Sequence, residues 1–137
     1  QLKGFIEKIF VTYRESFNDP KKILKKYELG TAHHKSLHLI SFYKGITISQ
    51  LLNKLNVTKQ SLNRVLNDLK KLNLLEFKKD AKDSRVRHIY LSEKGNKIYG
   101  EIFVNQKKRI YKAFLNSSAK EVLNFDLVLK RILDEKF

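Results

Sequence analysis

Apolar residues recur along this chain at helical spacing. Leu2, Phe5, Ile6, Ile9, Phe10 and Tyr13 fall on one stripe, the pattern of a helix with one covered face. "FNDPKK" resets the rhythm. Pro20, behind Asn18 and Asp19, predicts a cap and first turn for a short helix over "KKILKKY". Gly30 and Thr31 open a third helix over "AHHKSLHLISFY", ending near Gly45. Thr47 is placed to cap a fourth, carrying Ile48, Leu51, Leu52 and Leu55. After "NVT" a fifth carries Leu62, Val65, Leu66, Leu69 and Leu72. From Leu74 the period changes, and "LLEFKKD" and "RVRHIYL" read as two short strands joined by the charged loop "DAKDS", a single β-hairpin. Ser92, with Glu93 behind it, starts a long helix that "NSS" breaks; a last helix runs from about Ala119 to Asp134.

The order helix, tight turn, helix, hairpin predicts a winged helix-turn-helix. Asn56 stands where the turn needs a left-handed residue, a conformation Asn tolerates best after Gly, and Asn73 is suited to the same role at the end of the fifth helix. Val122, Leu123, Phe125, Leu127, Val128, Leu129, Ile132 and Leu133 cover most of the last helix's circumference. A helix apolar nearly all round must be covered on more than one side. Either it is the central core helix of a monomer or a second subunit covers it, and its terminal position favours a homodimer. The expected fold is therefore mainly α with a small β-hairpin wing, one domain over 1–137. Residues 30–95 form the winged helix-turn-helix and 1–16 with 96–137 the helical dimerisation region, contacting through Phe5, Ile9, Val122, Phe125, Val128, Leu129 and Ile132.

Charge then gives the fifth helix a meaning. The chain has a formal net charge of +15, which points to an anionic partner, although most of its 29 basic residues are Lys, a bias that A+T-rich coding alone produces. More telling is that residues 31–57 hold no Asp or Glu. On a helical wheel of about 100° per residue the five apolar residues of the fifth helix lie within about 80° of Leu62. The opposite face receives Gln60, Asn63, Arg64, Asn67 and Lys71, with the only acid, Asp68, off it. Arg suits guanine, Asn and Gln suit adenine, and Lys suits phosphate. Thr58 is placed to cap, and the first-turn amides with Lys59 and Ser61 suit a phosphate. An ordinary solvated face usually mixes Glu with Lys; this one does not. The hairpin adds Lys78, Lys79, Lys82, Arg85 and Arg87 around its loop, a basic tip suited to a minor groove beside the fifth helix.

These residues carry a resemblance to the MarR family of bacterial transcription regulators, over nearly the whole chain and densest from about 29 to 95. "DAKDSRVRHIYLSEKG" resembles the family's D-x-R wing followed by a strand and an L-T-x-K-G-like helix start, with Asp83 and Arg85 at the D-x-R positions and Ser92 in place of Thr. "NVTKQSLNRVLNDLKKLNLL" resembles its turn and recognition helix. The resemblance implies that Arg85 enters the minor groove, oriented by Asp83. It also implies that Thr58 to Ser61, with Asn63 and Arg64, face the major groove, and that the first and last two helices of two protomers interdigitate. The chain departs from the pattern at Asn56 and Asn73, where Gly is usual.

The remaining chemistry narrows the function. With no cysteine there are no disulfides, thiolate metal sites or thiol-based redox sensing. No nucleophile–base pair, carboxylate dyad or Gly-rich phosphate loop is visible, so no enzyme is expected. No cofactor is expected either. His34 and His38 stand four residues apart, a chelating spacing, but no further ligand completes a site within their helix. A structural or pocket-lining role is favoured for them, and His33 stands where relatives often carry a Gln-type residue, so a regulatory pocket nearby is an open expectation. No apolar run approaches the roughly 20 residues of a membrane span, and no signal peptide is visible. The leading expectation is a cytoplasmic, nucleoid-associated homodimer that reads double-stranded DNA at a pseudo-palindromic operator, as a repressor released by a small-molecule effector. The alternative is a winged-helix protein-interaction module with a Lys-rich surface.

Overall fold

In the computed structural model, which describes residues 1–133, the chain runs through seven helices and three strands. They are α1 (Leu2–Asn18), α2 (Lys21–Lys26), α3 (Thr31–Phe42), β1 (Ile46–Thr47), α4 (Ile48–Leu55), α5 (Lys59–Lys71), β2 (Leu75–Lys79), β3 (Arg87–Leu91), α6 (Glu93–Leu115) and α7 (Ala119–Ile132). The architecture is mainly helical with a small antiparallel sheet, a winged helix-turn-helix. Its boundaries follow local chemistry. Thr47, Thr58, Ser92 and Ser118 each accept the backbone N–H three residues on, satisfying a donor that the first turn of a helix leaves orphaned. Gln50 and Glu121 complete capping boxes by accepting from the Thr47 and Ser118 backbone N–H groups.

The core sits where α3, the α4–α5 pair and the sheet meet. Leu37 and Ile40 of α3, Leu51 of α4, Leu62 and Leu69 of α5, Leu74 and Ile89 are all fully or almost fully buried. Ile98 and Ile102, from the first half of α6, close it. The apolar stripe of α5 read from periodicity is thus the stripe that packs: Leu62, Leu66 and Leu69 are buried, with Val65 and Leu72 half-buried beside them.

Two expectations change, and a third falls partly outside the described residues. The hairpin is part of a three-stranded sheet in the order β1-β3-β2, because Ile46 and Thr47 pair antiparallel with Ile89 and His88. Two residues are too short to show a period, so only their partner strand reveals them. Asn18 and Asp19 do not cap α2. Asn18 ends α1, Asp19 continues in right-handed helical geometry, Pro20 occupies the cap position, and the Asp19 carboxylate receives Arg109 of α6 at 2.8 and 2.9 Å. The last helix ends at Ile132; Asp134, and with it the stretch 134–137 of the expected dimerisation region, lies outside the described residues.

α1 and α7 carry no buried residue, so α7 is not a central helix of this chain's core. Phe5, Ile9, Phe125, Val128, Leu129 and Ile132 are all exposed, between 36% and 60%, and Val122 is half-buried. No helix among the described residues is long and apolar enough to cross a membrane.

One junction joins the helix-turn-helix to α6. Ser92 donates its backbone N–H to the Leu74 carbonyl at 2.9 Å and its hydroxyl to the Asn73 carbonyl at 2.6 Å. Gly95 lies so close to this corner that a Cβ would overlap the Leu74 carbonyl and backbone. Gly95→Ala must therefore move α6 off the corner. It should cost about 1–3 kcal/mol, the scale of an overpacked core, read as a lower denaturant midpoint with an unchanged slope.

Candidate nucleic-acid interface

The turn between α4 and α5 sets the angle at which α5 is presented. Asn56 ends α4 at φ 52° and ψ 48°, left-handed as its sequence position requires, and Asn73 does the same after α5 at φ 60°. A third left-handed residue, Glu28 at φ 57°, precedes α3 and has no Asn or Gly to announce it. Thr58 caps α5 in extended geometry; its Oγ1 accepts the Ser61 N–H at 3.1 Å and donates to the Ser61 hydroxyl at 2.8 Å. That leaves the Ser61 hydroxyl hydrogen directed away from Thr58, free to donate outward.

The face of α5 opposite the core is open. Thr58, Lys59, Gln60, Ser61, Asn63, Arg64, Asn67 and Lys71 are all exposed. Asp68, half-buried, is occupied: His33 Nε2 lies 2.9 Å from its Oδ2. The His33 ring is itself oriented, because Nδ1 accepts the Gly30 N–H at 3.0 Å, which leaves Nε2 as the donor to Asp68. The one carboxylate on α5 is thereby drawn toward the start of α3, and the outward face carries amides, hydroxyls and cations alone.

The wing is built by two aspartates. Asp83 Oδ1 accepts the Arg85 backbone N–H at 3.0 Å and Nε at 3.1 Å, and Oδ2 accepts Nη2 at 3.2 Å. The guanidinium hydrogen bonds hold the Asp83 carboxyl below its ordinary range. Arg85 is nonetheless 89% exposed: its direction is fixed by Asp83 while its other donors face outward. Lys82 and Arg87 are exposed beside it. Asp80 ties the base of the loop. Its Oδ2 accepts the Lys82 and Asp83 N–H groups, each at 3.0 Å, and its Oδ1 meets His88 Nε2 at 2.7 Å. Asp80 and His88 escaped the sequence reading. An Asp two and three residues before the amides it bonds is a recognisable Asx-turn pattern, but nothing local marks His88 as its partner.

A second feature lies away from this face. α1, α3 and α6 line an open cavity of about 840 Å³, walled by Phe17, His38, Phe42, Tyr99, Phe103 and Tyr111. His38 therefore lines a pocket. Its Nδ1 stands 3.3 Å from the Tyr99 hydroxyl, and burial pushes its pKa down and that of Tyr99 up. His34 lies deeper, fully buried against the Phe17 ring at 5.0 Å between centroids. Burial pushes it down to about 4, so it is a neutral core residue at ordinary pH. No cluster of three His, Asp or Glu residues among those described is spaced to hold a metal.

Comparison with known proteins agrees with this geometry. Residues 28–86, which hold the helix-turn-helix and most of the wing, match the model of the MarR family. The chain is 38% identical over 134 residues to the HTH-type transcriptional regulator PetP of Rhodobacter capsulatus, covering 98% of this chain and 81% of that protein. A MarR-family transcriptional regulator from Silicibacter pomeroyi superposes with a TM-score of 0.81 at 20% identity, over 100% of this chain and 93% of the other. NadR in complex with 4-hydroxyphenylacetate superposes at 0.73 with 26% identity, over 95% and 90%.

The left-handed turn gives a direct test of how α5 is set. Asn56→Ala should destabilise the fold by about 1–2 kcal/mol, the cost of a Cβ in left-handed geometry, while Asn56→Gly should be close to neutral. Thermal unfolding of the two variants checks both; equal losses would show that the Asn side chain, not the backbone conformation, matters.

Proposed function

The chain belongs to the MarR family of helix-turn-helix transcriptional regulators, and on that premise we propose that it acts as a homodimer on a pseudo-palindromic operator in double-stranded DNA, as a repressor released by a small-molecule effector. The observation that carries the DNA reading is the open, acid-free face of α5. A helix laid in a major groove brings its outer face against base edges between two phosphate backbones, so a free carboxylate that does not accept from a cytosine amine costs affinity there. In this reading Gln60, Asn63, Arg64 and Asn67 meet base edges, and Thr58, Lys59 and Ser61 hold phosphate at the start of α5. Arg85, aimed by Asp83, enters the adjacent minor groove with Lys82 and Arg87 on the flanking backbone.

The homodimer reading rests on α1 and α7, which carry no buried residue and leave most of their large apolar side chains exposed. Two copies would bury Phe5, Ile9, Val122, Phe125, Val128, Leu129 and Ile132 and set two α5 helices about one turn of DNA apart. The effector reading rests on the aromatic cavity between α1, α3 and α6, which lies between that dimerisation region and the helix-turn-helix. A mostly apolar pocket with a few polar groups fits a small organic ligand, and a similar structure holds 4-hydroxyphenylacetate.

Arg64→Ala should cost about 1–3 kcal/mol on a duplex selected from a random pool and relax preference at one base position. Equal weakening on selected and random duplexes would remove Arg64 from base reading. The same titration repeated across salt concentrations should show steep loss of affinity, as counterion release demands. No duplex binding at low salt would favour a protein-interaction module instead. A Phe125→Asp, Ile132→Asp double variant should sediment as a monomer and lose operator affinity; a dimer of unchanged strength would place the interface elsewhere.

A further inference from the structure

His88 lies on β3, between two groups that can only accept. Its Nδ1 is 2.7 Å from the Gly45 carbonyl oxygen and its Nε2 is 2.7 Å from Asp80 Oδ1. A neutral imidazole has one N–H, so it can donate to one of them and must turn a lone pair on the other. Asp80 cannot supply the missing proton. Its second oxygen already accepts two backbone N–H groups, and the His88 hydrogen bond followed by these amides keeps its carboxyl below the ordinary range. Both ring nitrogens can donate only when the ring carries both protons, so two such contacts suit an imidazolium.

We propose that His88 is the positioning residue of the wing: as an imidazolium it ties the wing loop, through Asp80, to the Gly45 turn between α3 and β1, and its loss of a proton loosens the wing and weakens duplex binding. Asp80 is the link. The carboxylate that receives His88 also organises the Lys82 and Asp83 amides, and Asp83 aims Arg85. Gly45 is a fixed anchor, with φ 81° and Tyr90 packed where a side chain would stand.

The surroundings bear on the sign. Lys78 of β2 and Thr47 of β1 stand opposite His88 in the sheet register, Arg87 precedes it, Lys44 adjoins Gly45, and Asp83 lies beyond Asp80 in the loop. Burial disfavours the charged ring. The Asp80 hydrogen bond, and then that to Gly45, outweigh it and raise the His88 pKa above its ordinary 6.5. A raised histidine pKa gives a tie fully present below about 6.5 and lost as pH rises through the higher folded value. The lowered Asp80 pKa sets the other limit, far more acidic.

Nitrogen-15 NMR of the wild-type chain between about pH 5.5 and about 9 tests the tie without DNA. Both His88 nitrogens should carry protons at the acid end. Its midpoint should lie above that of an unstructured histidine, and the Lys82 and Asp83 amide signals should move at the same midpoint. Asp80→Asn should lower that midpoint. A single-proton ring at the acid end, or wing amides that ignore His88, would overturn the proposal.

A second measurement rests on the DNA reading given above: fluorescence anisotropy with a short A·T-rich duplex. Wild-type affinity should fall by roughly threefold or more across this range, part of the worth of one charge-assisted hydrogen bond, while His88→Gln should bind weakly with a flatter profile. Parallel pH profiles for the two proteins would count against His88. An absence of duplex binding at every pH would instead strike the DNA reading, and the NMR titration would still decide the tie.

Discussion

The contact on which this architecture depends is a close approach of backbones. Where α5 ends and the sheet begins, the Leu74 carbonyl receives the Ser92 N–H and lies against Gly95 at the start of α6. The end of α5 meets there, across a separation of 19 residues, the exit of β3 and the first turn of α6. The left-handed Asn73 turns the chain into this corner, and the Ser92 hydroxyl both caps α6 and bonds the Asn73 carbonyl. Because backbone hydrogen bonds and a side-chain-free glycine define the junction, the orientation of the wing relative to α5 is fixed without using side chains that a nucleic-acid face needs for other purposes.

The electrostatics follow a related economy. A net charge of +15 on 137 residues would favour any polyanion, and a Lys-rich composition does not by itself choose a surface. What organises the surface is where the acids go. Asp68 is engaged by His33, Asp80 by His88 and two amides, Asp83 by Arg85, and Asp19 by Arg109. Each of these carboxylates is turned into a structural acceptor, which leaves amides, hydroxyls and cations as the outward groups of α5 and directs Arg85 outward from the wing loop. The exposed pairs add little stability; their effect is on direction, the direction of Arg85 above all.

Much of this was legible in the sequence because its signals are local. Helical periodicity marked α5 and its buried stripe, Thr and Ser caps marked helix starts, and Asn56 and Asn73 announced left-handed backbone by residue type. The D-x-R spacing brought Asp83 and Arg85 together because two residues apart in a tight loop they can hardly avoid each other. What escaped was long-range. β1 is two residues whose only evidence is a partner 43 positions away, His88 meets Gly45 at the same separation, and Asp19 meets Arg109 across 90. The cavity wall is likewise assembled from three helices, none of which shows it alone. Pairings of that kind are set by the packed fold, and no window of sequence contains them.

α6 has a mechanical consequence. It is a single helix of 23 residues, about 35 Å long, whose first turns are sunk in the core through Ile98 and Ile102. Tyr27 to Glu101 at 2.6 Å, and Arg109 to Asp19, brace it against the α1–α2 corner. Such a rod behaves as a lever with its fulcrum near the core: a tilt of about 5° carries the far end by about 2 Å. The aromatic cavity runs along the same rod from Tyr99 to Phe114. On the proposed effector reading, a ligand in that space would bear on the rod at mid-span, and the gain of the lever, more than the strength of the push, would decide how far the two ends of the molecule shift against each other.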